Sequence, residues 1–291
     1  LLKIFAIIKF RKLKFKFEGI LYLNFSLTVE TFRIFFPTIW DSKKHRTTST
    51  SGNSGMPDSN LKKTKNTKKI MKKEFVNKVF SSVSKKYDFM NDLMSFGLHR
   101  IWKEQLISLL EISKDSLVLD LATGSGDISK KINEKYGCKC LALDANMEML
   151  GVAKKKNDSN APFYIYGNAE NLPFKKFIFD YVVVSFGLRN FTNINNSLNE
   201  VFRVLKKNGK LICLEFSEVN NQIFRRIINI YYKVIPLLGN LFARNETAYE
   251  YLVNSIKKFP NQIKLSKKLK SAGFKSVKVI DIIGGIAAIH I

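Results

Sequence analysis

Three features of the sequence predict an α/β fold with a mostly parallel, seven-stranded sheet and an antiparallel C-terminal hairpin. Short apolar runs alternate with helix-length amphipathic segments from residue 117 to residue 216, as in successive βαβ units. The first run ends in a Gly-x-Gly turn that opens a polar helix. The last two runs are joined only by Gly284-Gly285, too short a link for a parallel crossover, so they pair antiparallel.

The elements follow in order. Phe75, Val76, Val79, Phe80 and Val83 recur at helical spacing and predict a helix ending near Lys86, with a second over residues 99–110. Leu117-Val118-Leu119-Asp120-Leu121 is the first strand, followed by the glycine turn and a helix over about 127–136. Further strands are expected at 139–143, 163–166, 181–186 and 210–216, with helices at 147–156 and 194–205. Cys138-Lys139-Cys140 has no second Cys or His pair at metal spacing and runs into Leu141-Ala142-Leu143, so it reads as strand and no metal is expected. After Glu218 comes a long helical segment, roughly 222–259, containing Pro236 and Gly239. A helix at 265–272 and strands at 277–283 and 286–291 close the chain.

The net charge of +25, from 49 Lys+Arg against 24 Asp+Glu, suits nucleic acid, an anionic membrane surface or an acidic ligand. Residues 1–70 carry 15 of the basic residues and only 4 acidic ones. Their apolar stretch over 19–36 is interrupted by Glu30 and Arg33 and makes a poor membrane span. Residues 42–69 are rich in Ser, Thr, Asn and Lys, a linker composition. Residues 1–70 therefore read as a basic leader and flexible linker, either a transit peptide or an upstream extension, with Met56 or Met71 as alternative starts. Residues 71–291 form the expected catalytic domain. Three cysteines form no disulfide framework and point to a reducing compartment.

The turn Asp120-Leu121-Ala122-Thr123-Gly124-Ser125-Gly126-Asp127 lets a ligand approach backbone amides at Gly124, Ser125 and Gly126. Asp144, at the end of the second strand, is placed to accept hydrogen bonds from a ribose diol, so the ligand is a nucleoside. Asp120 would oppose a pyrophosphate but suits an ammonium group. Asn168 and Ala169, just past the third strand, supply groups for an adenine edge. The balance favours S-adenosylmethionine over a dinucleotide.

The run from Phe80 to Lys103, FSSVSKKYDFMNDLMSFGLHRIWK, resembles the opening signature of the UbiE-type ubiquinone/menaquinone C-methyltransferases. Ser185-Phe-Gly-Leu-Arg-Asn190 resembles that family's second signature, and Leu214-Glu-Phe-Ser217 its fifth-strand end. The resemblance implies a Rossmann-like class I methyltransferase, with Ser125, Asp144, Asn168, Ala169 and Ser185 contacting S-adenosylmethionine. It also implies the reaction, methyl transfer to a ring carbon of a polyprenyl benzoquinol (2-methoxy-6-polyprenyl-1,4-benzoquinol type), or alternatively of demethylmenaquinol. The loop departs from the family pattern at Thr123, where glycine is usual.

Methylating a ring carbon needs orientation, a proton acceptor of modest strength and a stabilised oxyanion. Arg189 and Asn190, at the C-terminal edge of the fourth strand, are assigned to holding a phenolate and orienting a ring oxygen. Tyr87, with Asp88, Asn91 and Asp92, is expected to form a polar lid, Tyr87 touching substrate. His99, beside Arg100 and Trp102, reads as structural rather than as the base. The segment 222–259 is apolar nearly all round, with Arg225, Arg226, Lys233 and Arg244 flanking, and is expected to give the prenyl tail a channel and to rest on anionic headgroups.

The expected partners are a polyprenyl quinol, a peripheral membrane surface, other quinone-biosynthesis enzymes and a second copy in a homodimer; nucleic acid is not expected. The expected location is the matrix face of the mitochondrial inner membrane in a eukaryote, or otherwise the cytoplasm. An RNA or small-molecule methyltransferase of the same fold, and a non-catalytic scaffold of a quinone-synthesis complex, are the rival readings.

Overall fold

The computed structural model describes residues 58–84, 87–156, 162–243 and 246–291. Most of the leader, and Arg244, lie outside the described residues. The sheet has seven strands: β1 (Leu117–Leu121), β2 (Lys139–Asp144), β3 (Phe163–Tyr166), β4 (Phe179–Ser185), β5 (Leu205–Phe216), β6 (Val279–Ile282) and β7 (Ala287–His290). Their order is β3-β2-β1-β4-β5-β7-β6. The first five pair in parallel, and β7 runs antiparallel between β5 and β6. This is the predicted architecture.

Alternation along each strand divides the core between the two faces of the sheet. Val118, Val183, Ile212 and Ile289 pack on one side, and Leu119, Val182, Val184 and Cys213 on the other. The central strand β1 is buried from Val118 onward because both faces are covered. Cys138, Cys140 and Cys213 are buried free thiols, which agrees with reading the Cys138–Cys140 run as strand.

The helices are α1 (Asp58–Val83), α2 (Tyr87–Ser95), α3 (His99–Ser108), α4 (Asp127–Tyr136), α5 (Met147–Lys156), α6 (Ile194–Val204), α7 (Gln222–Ala243), α8 (Glu246–Lys258) and α9 (Gln262–Ser271). Helix α1 begins at Asp58, inside the stretch read as linker. After Pro57 that stretch has no Pro or Gly, and its Lys and Leu residues are good helix formers, so composition alone did not distinguish linker from polar helix. In α6 the side chain of Asn193 caps the start by accepting from Asn196 N, and Leu198, Val201 and Val204 form the buried stripe. Helix α7 keeps Pro236 inside its span.

Candidate active site

Parallel strands place their C-terminal ends together, and the loops after β1, β2, β3 and β4 meet there around one cavity of about 410 Å³. Its walls include Gly124, Asp144, Asn168, Ala169 and Asn190 from those loops and Phe80 and Tyr87 from the N-terminal helices. Two of the loops leave their strands through left-handed backbone: Ala122 has φ 58° and Phe186 φ 55°. Such backbone in residues with a Cβ costs about 1–2 kcal/mol each and clusters at functional sites. Between them, a Cβ on Gly187 would come within 2.6 Å of the Ala122 Cβ, so only glycine lets the two loops touch.

Asp144 organises the turn. Its carboxylate accepts from Gly124 N (2.8 Å) and Asn146 N (2.9 Å), and burial raises its pKa against the pull of those amides. Gly124 and Gly126 adopt φ of 57° and 80°, Gly126 standing at the start of α4. Asn168 Oδ1 accepts from Glu170 N, and the Asn168 backbone forms an isolated antiparallel bridge with Asn171, fixing the loop after β3.

Asn146 also ties down the roof. Its Nδ2 donates to Asn77 Oδ1 (2.6 Å), Asn77 O (3.1 Å) and Ser81 Oγ (2.9 Å), all on α1. Lys72, also on α1, donates to Phe191 O at 2.8 Å. The helix that covers the cavity is thus anchored on opposite sides.

A narrow polar cavity opens beside the glycine turn, lined by Tyr87, Lys103, Asp120, Thr123, Ser125, Asp127 and Ser185 among others. Thr123, the departure from the family pattern, has a job here: its hydroxyl donates to Asp120 Oδ2 at 2.5 Å. Asp120 also accepts from Ser129 N, yet burial lifts its pKa to about 6. Burial would raise Asp127 as well, but the Lys103 ammonium 2.9 Å away brings it down to about 2. Ser125 Oγ donates to Asp88, which pairs with Lys156. The Ser185 hydroxyl is buried and has no partner within the protein.

Arg189 lies elsewhere. It does not line either cavity; its Nη1 donates to Glu215 Oε1 (2.6 Å) and Phe186 O (2.5 Å), with both members of the ion pair 2% exposed. Glu215 also accepts from the Arg189 amide (3.2 Å), and the guanidinium sits over the Phe216 ring. This carboxylate was not anticipated. The sequence offered one signal for it, a lone acid in the apolar run Leu211–Phe216, where a charge persists only with a partner. Asn190 does face the large cavity, and its Oδ1 accepts from the hydroxyl of Tyr251 on α8 at 3.1 Å.

The expected lid divides. Tyr87 lines both cavities, with burial raising its phenol pKa, and Asn91 is buried beneath it. Asp92 instead turns outward to a two-pronged pair with Arg100. His99 is buried against Ser95 Oγ (2.9 Å), and desolvation lowers its pKa to about 4, in keeping with a structural role. None of the described side chains of α7 reaches the large cavity; Tyr232 and Ile235 pack in the core, and Ile223, Ile230 and Leu237 are exposed. The apolar wall comes from α1, through Ile70, Val76 and Phe80, because α1 lies across the strand ends and α7 does not.

Residues 65–291 match the model of the ubiE/COQ5 methyltransferase family. The chain belongs to that family. Among its relatives, the ubiquinone/menaquinone biosynthesis C-methyltransferase UbiE of Wigglesworthia glossinidia brevipalpis is 45% identical over 230 residues, covering 77% of this chain and 92% of the relative. UbiE of Rickettsia typhi is 44% identical over 229 residues, 75% and 92% of the two chains. Solved SAM-dependent methyltransferases from Thermotoga maritima and Aquifex aeolicus share the fold. Their TM-scores are 0.53 and 0.52, each at 18% identity, over 74% and 72% of this chain and 97% and 96% of theirs. The enzyme class and the cofactor read from the sequence, a methyltransferase using S-adenosylmethionine, are those of this family and this fold. No His/Cys/Asp/Glu cluster able to hold a metal occurs among the described residues.

Proposed function

We propose that this ubiE/COQ5 family methyltransferase carries a methyl group from S-adenosylmethionine to a ring carbon of a polyprenyl benzoquinol of the 2-methoxy-6-polyprenyl-1,4-benzoquinol type, in ubiquinone biosynthesis. The observation that carries the reading is a single cavity bounded at one end by Gly124, Asp144 and Asn168 and at another by Asn190 and Tyr87. S-adenosylmethionine supplies an electrophilic methyl group. The chain's residues fit it: Asp144 for the ribose, Asn168 and Ala169 for the adenine edge, and an unpartnered Ser185 hydroxyl with Ser125 and the glycine turn for the amino-acid end.

A quinol ring carbon becomes nucleophilic as the neighbouring hydroxyl loses its proton. Asn190, held by Tyr251, orients a ring oxygen; Tyr87 closes the cavity over it. Arg189 acts as a positioning residue, keeping the turn that carries Asn190 fixed to Glu215 and the Phe186 carbonyl. The apolar wall formed by Ile70, Val76, Phe80 and Phe191 suits the start of a prenyl tail.

The reading extends to a membrane surface. The exposed Ile223, Ile230 and Leu237 of α7 stand among Arg226 and Lys233, and exposed Phe96 stacks on Tyr231 of the same helix at 4.7 Å. Apolar side chains with basic neighbours suit peripheral attachment to anionic lipid. No described helix is long and apolar enough to cross a membrane. The basic leader fits delivery to the matrix face of the mitochondrial inner membrane.

Turnover with matched ubiquinone-type and menaquinone-type precursors tests the substrate. The proposal expects a larger kcat/KM for the methoxy-benzoquinol; preference for demethylmenaquinol would replace it with the alternative.

A further inference from the structure

Lys103 is a buried cation that the reaction described above does not use. Its side chain is 8% exposed, and its ammonium donates to Asp127 Oδ2 at 2.9 Å, although it has three N–H groups to satisfy. It lines the narrow polar cavity together with Asp120, Ser125 and the unpartnered Ser185 hydroxyl. Ion pairing to Asp127 alone would be satisfied at the surface. A lysine drawn into a cavity with donors to spare, facing a buried hydroxyl with none of its bonding used, is the arrangement that receives an anion.

The same cavity presents a second buried charge of opposite sign. Asp120, 1% exposed, takes its hydrogen bonds from Thr123 and Ser129 on one oxygen, Oδ2. A basic donor and an acidic acceptor lining one narrow hollow match the carboxylate and ammonium of an α-amino acid. Counting the charged lining groups, one lysine against two aspartates leaves one negative charge. S-adenosylmethionine carries one net positive charge and S-adenosylhomocysteine none.

We infer that Lys103, with Ser185, is the carboxylate anchor for the amino-acid end of the cofactor, opposite Asp120 as the ammonium acceptor. The inference rests on the reading of this site as the S-adenosylmethionine site. Lys103 thereby separates the cofactor from nucleosides that share its adenosine half but lack the amino acid. Its anchoring also connects the cofactor to α3, the helix next to the Tyr87 helix.

The test compares two ligands by isothermal titration: S-adenosylhomocysteine, which has the amino-acid end, and 5′-methylthioadenosine, which lacks it. Lys103→Met is expected to weaken S-adenosylhomocysteine about 10- to 100-fold, as for loss of a hydrogen-bonded ion contact, while methylthioadenosine changes less than about threefold. Ser185→Ala is expected to give a smaller loss with the same selectivity, and serves if the lysine variant does not fold. Equal weakening of both ligands, or no weakening of either, overturns the inference for Lys103. Failure of the wild type to bind S-adenosylhomocysteine at all overturns the cofactor reading beneath it.

Discussion

Asp144→Asn isolates the ribose contact with little change of shape. In the wild type one carboxylate oxygen accepts from Gly124 N at 2.8 Å and the other from Asn146 N at 2.9 Å. Each oxygen keeps a lone pair for a ribose hydroxyl. The amide replaces one acceptor with a donor and removes the charge from the other, so a charge-assisted bond worth about 1.5–3 kcal/mol is lost to the ligand. That is about 10- to 150-fold in Kd. The amide nitrogen also faces a backbone N–H, which should cost the folded state about 1–3 kcal/mol. Calorimetric titration with S-adenosylhomocysteine and with its 2′,3′-dideoxy analogue reads the first effect, and urea denaturation the second. The dideoxy analogue should bind more weakly to the wild type but show no further penalty in the variant. If removing the diol weakens both proteins equally, Asp144 does not hold the ribose.

Three further perturbations follow from the same geometry. Arg189→Ala strands Glu215, which is 2% exposed, and should cost about 3–5 kcal/mol in urea denaturation. It should also abolish turnover, with S-adenosylhomocysteine affinity within a few-fold of wild type; wild-type turnover would remove Arg189 from the mechanism. Gly187→Ala drives a Cβ to within 2.6 Å of Ala122 and should cost about 1–3 kcal/mol while weakening the cofactor, both measurable by thermal shift with and without S-adenosylhomocysteine. His99, lowered from 6.5 to about 4, is neutral in the folded protein and takes up a proton more readily when unfolded. Stability is therefore lost as pH falls from about 6.5 to 4, by about 3 kcal/mol. Asp120, raised to about 6, acts in the opposite sense over part of that window. Comparing wild type with His99→Gln from pH 4 to 7 cancels the Asp120 contribution, and parallel curves would refute the assignment.

The sheet was legible because strand identity depends on local alternation. Apolar runs of strand length, all but β3 followed by a helix-period segment, locate β1 to β5, and Gly284-Gly285 fixes the terminal reversal. The glycine turn and Asp144 were legible because a strand end followed by glycine has few structural alternatives. Helix α1 was only half legible, since Asp58 to Lys69 has no apolar period of its own, and the later part of the helix is held through Asn77 and Lys72 by residues far along the chain, Asn146 and Phe191. Arg189 was placed correctly at the strand end, but its partner Glu215 comes from the next strand, a register that no local pattern reveals. Tyr251 and Lys103 escape a local reading for the same reason. Each meets the site only after chain segments distant in sequence pack together.

The central claim is tested most directly by following the methyl group. The protein is incubated with S-adenosylmethionine deuterated at the methyl and with a 2-methoxy-6-polyprenyl-1,4-benzoquinol, and the product is analysed by mass spectrometry and NMR. The label should appear on a ring carbon, and Asp144→Asn should reduce its transfer at subsaturating cofactor. Label on an oxygen, or none transferred by the wild type, would contradict it.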